Sequence, residues 1–380
     1  MFPAAILLVG INLRPGLAVI GPLLDSVQRD TGLSDTDASL LTTLPVALMG
    51  VCLLGAGRLR RWLGDRYGVG LGLALIVVGD LLRWLWPHAL ALLATAMCGG
   101  IGIAMVQALM PAIIRKHAGA RMAGLMGLYS TAIMGGALIS SVAGPWLAQA
   151  WGWPVALGVW ALPGIAGCSV WLRATDSLAE IPIARAHRRP LHRVPRAWLL
   201  LAFFGLGTGA YTLVLAWLPP FYTALGWSAR QAGALLGAVT LAEVLAGLCI
   251  SLWIDRCADR RPALLTATGA LLAGMLCLAV APLALAWPAA VLAGLGIGAL
   301  FPLSLIVAMD HGQSADEAGA IAAFVQGGGY GLAALLPLIA GLLRQHLADL
   351  TPAWWLMALL SVVLGLIAVR LRPGRAIGLP

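Results

Sequence analysis

Runs of apolar residues follow one another along almost the whole chain, separated by short breaks of charge, proline or glycine. They lie near 3–24, 37–57, 68–87, 89–114, 122–148 and 152–172, then near 197–220, 229–254, 262–282, 285–309, 317–343 and 351–370. A helix needs about 20 mostly apolar residues to cross the hydrocarbon of a bilayer. Each run has that length, so the pattern predicts twelve spanning helices and an all-α polytopic membrane protein. The longest interruption, 174–196, is polar and Arg-rich and contains proline. It reads as a cytoplasmic linker between an N-terminal six-helix half, 1–173, and a C-terminal six-helix half, 197–380.

Composition narrows the choices further. Of 380 residues, 61% are hydrophobic and 10% charged, far from the balance of soluble domains. Twelve spans leave roughly ten residues for each connection, which gives no room for an appended enzyme or a sensory output domain. The first apolar run continues past Arg14 and Pro15 without an Ala-x-Ala-like exit and reads as a first span, not a cleaved leader. The six cysteines have no C-x-x-C spacing and are expected to be small buried hydrophobes.

The formal charge of +9 raises the question of nucleic acid. Its placement answers that question. Nineteen of the 24 Lys and Arg fall in alternate connections and at the C-terminus: around Arg58–Arg66, Arg115–Arg121, Arg173–Arg196, Arg256–Arg261 and Arg370–Arg375. Lys and Arg accumulate on the cytoplasmic side, so an even span count with both termini cytoplasmic is expected. No folded basic face remains for a nucleic acid.

The halves echo each other. At a shift of about 197 residues, Gly10, Arg14 and Pro22 meet Gly207, Tyr211 and Pro219, and Gly99 and Gln107 meet Gly296 and Ser304. Parallel six-span repeats suit a carrier that alternates access by rocking one half against the other. Two cytoplasmic loops carry mixed charge: Gly57 to Arg66, with Asp65 and Arg66, and Asp255 to Pro262, with Asp255 and Arg256. Opposite charges there suit a cytoplasmic gate. Positive-inside residues with incidental acids are the simpler alternative.

The informative side chains are the polar ones inside spans. Arg14 lies about midway through the first span, where a charge costs at least ~2.5–3.5 kcal/mol on insertion scales and faces a cavity or a partner. Its permanently charged, planar fork of donors suits an anion, while an ion pair with Glu243 is the competing reading. Pro15 removes an N–H and clashes with the Ile11 carbonyl, so a kink or unwound turn is expected. Asn12 serves either helix packing or the site. Gln107 and Gln326 are mid-span amides, and Tyr211 offers a phenol at the position equivalent to Arg14. Tyr129, Tyr330, Phe301, Trp217 and Ser304 complete the candidate pocket. An interfacial belt is the alternative for Trp217 and the other tryptophans. Glu243, deep in the eighth span, is either a proton carrier or the counter-ion of Arg14. Asp80 and Arg83, three apart in the third span, suit a local ion pair.

No nucleophile–base pair, metal-ligand spacing or Walker motif is present, so neither enzyme chemistry, metal, cofactor nor ATP is expected. The glycine runs Gly99–Gly102, Gly294–Gly298 and Gly327–Gly329 sit inside apolar spans and are expected to let helices approach closely.

Several strings together resemble the cyanate permease family of major-facilitator transporters, which includes 2-nitroimidazole transporters. They are Asn12-Leu-Arg-Pro15, Leu41-Thr-Thr-Leu-Pro45, Gln107-Ala-Leu-Met-Pro111, Trp217-Leu-Pro-Pro-Phe-Tyr222, Phe301-Pro-Leu-Ser304, Met309-Asp-His311 and Phe324-Val-Gln-Gly327. The resemblance covers nearly all of the chain. It implies the major-facilitator fold, with twelve helices in two pseudo-symmetric halves, and a monomeric carrier in the bacterial inner membrane. The substrate it implies is a small molecule, a cyanate-like anion first; a co-transported proton is the expectation that Glu243 raises. An exporter of nitroimidazoles or other small organic compounds is the alternative.

Overall fold

The computed structural model describes residues 1–117, 121–176, 191–257, 259–313 and 315–371, without the side chains of 56, 57, 60, 123, 255, 315 and 316. Most of the expected linker, including Arg185, Arg188 and Arg189, lies outside the described residues, as does the side chain of the gate candidate Asp255.

Among the described residues, eleven helices are long and apolar enough to cross a membrane, and a bent pair supplies a twelfth. The bent pair is the first span. It comprises α1 (Phe2–Ile11), the single turn α2 (Pro15–Ala18) and α3 (Ile20–Thr31), with a 44° bend between Phe2–Ala18 and Ile20–Thr31. The second and third spans form α4 (Asp35–Leu85), broken at Gly64, where φ of 66° favours a residue without a Cβ. Then follow α5 (Ala89–His117), α6 (Met122–Trp151), α7 (Trp153–Gly158) and α8 (Ala161–Ala174). The later spans are α9 (Pro195–Ala224), α10 (Ala229–Trp253), α11 (Arg261–Val280), α12 (Ala286–Met309), α13 (Ala315–Leu347) and α14 (Thr351–Arg370).

The hydropathy pattern places these spans to within a few residues, except that the first continues to Thr31. Asp25 to Thr31 carry too much charge to register as apolar, yet they hold helix because one face is buried at Leu24 and Val27. Gly32 then ends it in a left-handed cap, its amide donating to the Gln28 carbonyl at 2.8 Å. Ser34 caps the next helix by accepting from the Asp37 amide.

Two compact units emerge, Met1–Ile183 with Leu215–Gly237, and Ala184–Val214 with Ala238–Pro380. The seam therefore differs from a cut at the linker, because the second half of α9 and the first half of α10 pack with the first unit. A Cβ on Gly21 would lie 2.8 Å from the Leu215 carbonyl oxygen and 3.2 Å from Pro219, and one on Gly233 would meet Ser141 and Pro145. Close approach over small residues is how helices associate without a hydrophobic drive between them. The expected glycine runs follow suit: Gly100 rests against Pro45, Gly294 against Val239, and Gly329 against Phe204. The cysteines depart from expectation. All six are free thiols, but Cys249 is exposed and the others are only half-buried. The tryptophans divide as well: Trp62, Trp84, Trp86, Trp146 and Trp151 are exposed, whereas Trp217 is fully buried and is no belt residue.

Candidate functional site

In the first unit the candidate site is built around the break in the first span. Pro15 has no N–H to continue a helix, and the chain responds at Asn12 to Arg14. The amides of Asn12 and Leu13 reach back three residues, to Val9 and Gly10 at 3.3 and 3.1 Å, which tightens the end of α1. Arg14 has φ −118° and ψ −21° and caps α2, whose amides at Leu17 and Ala18 donate to the Arg14 carbonyl. The Arg14 side chain is 5% exposed. A permanently charged group is thus held inside a membrane span, at the point where its helix is interrupted.

Neighbouring helices hold the break in place. α1 packs on α6 and α8, and α2 packs on α4 and α6. A Cβ on Gly10 would lie 2.7 Å from Ala132 and 3.0 Å from the Tyr129 carbonyl, and one on Gly136 would overlap the Ile11 carbonyl. The break therefore rests on α6 beside Tyr129, itself buried. Asn12 donates from Nδ2 to the Leu8 carbonyl at 2.7 Å and to the Pro163 carbonyl at 3.0 Å, so its amide hydrogens tie α1 to α8. Gln107 is half-buried on α5, and Trp217 is buried on the part of α9 that belongs to this unit.

The second unit holds the remaining candidates. Tyr211 and Glu243 are buried on α9 and α10, and Glu243 lies where α12 comes closest, its backbone filling the space of a Gly298 Cβ. Ser304 is buried and donates to the Phe301 carbonyl at 2.8 Å. Phe301 itself is 41% exposed. Its ring and that of Tyr330 both contact Phe204, with centroids 5.7 and 5.4 Å apart. Gln326 is half-buried on α13. Thr212 escaped the sequence reading, although it follows Tyr211 directly. It donates to the Ala333 carbonyl at 2.9 Å and so joins α9 to α13.

Charge pairs form at the helix ends near the gate candidates, each within one unit. Asp65 pairs with Lys116 at 3.1 Å, and Arg66 with Asp176 at 2.5 Å. In the second unit Arg260 meets Asp310 at 3.3 Å, and Arg261 meets Asp259 at 2.7 Å. The hydrogen bonds from Arg261 hold the Asp259 carboxyl below its usual range. Arg256 is exposed. His311 is buried just beyond α12. Its Nδ1 lies 2.7 Å from the Val307 carbonyl, and its Nε2 accepts from Arg196 Nε at 3.2 Å. That pattern requires a neutral ring with the proton on Nδ1. Burial lowers the His311 pKa, and the Arg196 charge adds to the effect.

The profile of the Major Facilitator Superfamily matches residues 6–334 and 212–378. The chain is 38% identical over 376 residues to the cyanate transport protein CynX of Escherichia coli (strain K12), covering 97% of each. It is 31% identical over 372 residues to the 2-nitroimidazole transporter of the same organism, covering 96% of this chain and 93% of the relative. Among solved structures, a D-xylose-proton symporter superposes with a TM-score of 0.76 at 18% identity, over 98% of each chain. A bacterial homolog of the human lysosomal transporter Spinster gives 0.73 at 16%, over 97% of this chain and 96% of that one. At those identities the likeness speaks for the fold. With twelve spans and full-length relatives that are transporters, the chain belongs to the major facilitator superfamily, in the branch that includes cyanate and 2-nitroimidazole transporters, and is a membrane carrier of small molecules, not an enzyme.

Proposed function

We propose that this protein is a secondary carrier of a small, cyanate-like anion in the bacterial inner membrane, working as a monomer by alternating access with both termini cytoplasmic. The observation that carries the reading is Arg14, a buried guanidinium inside the first span, at the break before Pro15. A charge in that place is retained for a function, and a planar fork of donors matches a small anion better than a cation. The cyanate transport relative, at 38% identity, supports the substrate class. The other candidate side chains have distinct parts within their own units. In the first, Gln107 and Tyr129 offer polar contacts and Trp217 an apolar wall; in the second, Tyr211, Ser304, Gln326 and Tyr330 offer polar groups and Phe301 an apolar wall. Asn12 shapes the site from behind through α8. Glu243, buried in the second unit, carries the coupled proton. Asp65, Arg66, Asp255 and Arg256 act at the cytoplasmic gate.

The test is counterflow of radiolabelled cyanate in proteoliposomes, at a pH well above the pKa of the acid so that neutral leakage stays small. Wild type should accumulate label, and Arg14→Gln should reduce accumulation by at least about tenfold, the effect of losing a charged hydrogen bond. Undiminished counterflow in the mutant overturns Arg14 as the anion group. A second reading, export of nitroimidazole-like compounds, is supported by the 31% identical 2-nitroimidazole transporter. It gains if wild type moves a labelled nitroimidazole and no cyanate.

A further inference from the structure

We propose that Arg83 is the positioning residue of this carrier: anchored by Asp80 and Thr95, its guanidinium clamps the Gly16 carbonyl and fixes the broken turn that carries Arg14. The proposal rests on the reading of Arg14 as the anion-binding group, and it assigns that reading a mechanical support. Sequence spacing alone gives Arg83 a local partner. The structure gives it contacts on three helices.

Arg83 lies in the last turn of α4 and Asp80 one turn earlier, and each is 4% exposed. Arg83 Nη1 lies 3.8 Å from Asp80 Oδ1. The same nitrogen donates to the Gly16 carbonyl oxygen at 2.7 Å, 67 residues away in sequence. Arg83 Nε donates to Thr95 Oγ1 on α5 at 3.3 Å. That hydroxyl in turn donates to the Leu92 carbonyl at 2.9 Å, which leaves its oxygen to accept from Arg83. One guanidinium therefore joins α2, α4 and α5.

The helix it grips cannot hold itself. α2 is four residues long, below the length at which helix propagation offsets nucleation. It is isolated by the break at Arg14 on one side and by the 44° bend at Val19 on the other. In an uninterrupted helix the Gly16 carbonyl would take its proton from the amide of residue 20, within the turn where the chain bends. Arg83 supplies a donor at that place. The fit leaves no spare space, since a Cβ on Gly16 would lie 3.1 Å from both Arg83 Nη1 and Asp80 Oδ1. An ion pair held out of water contributes little net stability, while its directional hydrogen bonds fix geometry. Two residues upstream of the clamped carbonyl is Arg14.

The experiment combines two readouts on reconstituted Arg83→Gln, Arg83→Lys and Gly16→Ala, beside wild type and Arg14→Gln. Peptide-resolved hydrogen exchange reports the segment 10–19, and cyanate counterflow reports the half-saturating concentration and the maximal rate. Arg83→Gln should speed exchange in that segment and raise half-saturation about tenfold, with a smaller change in maximal rate. Arg83→Lys should restore part of both, because an ammonium can reach Gly16 but lacks the second donor. Gly16→Ala keeps every charge and should reproduce the exchange change even if Arg83→Gln fails to fold. Unchanged exchange over 10–19 in Arg83→Gln and Gly16→Ala overturns the clamp. So does a loss of folded protein with half-saturation untouched. If exchange rises in Arg83→Gln while Arg14→Gln leaves half-saturation unaltered, the clamp stands and the anion reading of Arg14 falls.

Discussion

The first and seventh spans correspond at a sequence shift of about 197 residues, yet they are built differently. The first is interrupted at Arg14 and bent again at Val19, whereas α9 runs unbroken from Pro195 to Ala224. At the shift of 197 residues Arg14 corresponds to Tyr211, Pro15 to Thr212, and Asn12 to Gly209. Where the first span has a proline that removes a donor, the seventh has a threonine that adds one. Thr212 spends its hydroxyl on Gly209 of its own helix and Ala333 of α13, while Asn12 ties Leu8 to Pro163 of α8. Each span therefore uses a polar side chain of its own near this position to tie itself to a neighbouring helix. Only the first opens its backbone, and only the first carries a charge there.

Two pairs of measurements would sharpen or break that comparison, and a third measurement tests the contact at the start of α9. The largest effect is expected at Gly10, whose Cβ would lie 2.7 Å from Ala132, against Gly207, whose Cβ would meet Leu300 at an ordinary 3.6 Å. Gly10→Ala should lower the apparent Tm in detergent by about 5 °C, through overpacking against α6. Gly207→Ala should leave Tm unchanged or raise it, because alanine favours helix. Equal effects would mean that the two spans are packed alike. A smaller difference separates the anchors. Asn12→Ala removes two donated bonds and should cost more than Thr212→Val, where an interhelical hydrogen bond contributes about 0.6 kcal/mol. Thermal melts of both variants read the order, and a reversed order would contradict the tie from Asn12 to α8.

The smallest effect concerns His311, which accepts from Arg196 at the start of α9. Folding keeps His311 neutral and lowers its pKa below the ordinary 6.5. The unfolded chain therefore binds more protons just below that value, so the stability that His311 contributes is present above about pH 6.5 and falls as the pH drops toward the folded pKa. Tm followed from pH 7.5 to 5.5 should decline less steeply in His311→Gln than in wild type. Parallel profiles would remove His311 as the source.

The spans themselves could be read from hydropathy, because any lipid-facing helix must announce itself as an apolar run. The interruption before Pro15 was legible too, since proline acts locally. Long-range partners were not. Nothing in the spacing of Asp80 and Arg83 points to a carbonyl 67 residues upstream, because a backbone acceptor has no sequence signature. The burial of Trp217 was hidden for a related reason. Its surroundings depend on Leu215–Gly237 packing with the first unit, and that is decided by glycines at matching heights on other helices. The helical extension to Thr31 was missed because its charges mask a buried face.

The central claim is that Arg14 binds the anion, and ligand-induced stabilisation tests it without any transport step. Purified wild type and Arg14→Gln would be melted across a cyanate titration at constant ionic strength, with chloride as the balancing salt. A ligand that binds only the folded state raises stability with its concentration, by about 2.7 kcal/mol at a hundred times Kd. The account predicts a saturable rise in Tm for wild type and a flat response for Arg14→Gln. Equal, saturable rises in both proteins would contradict it.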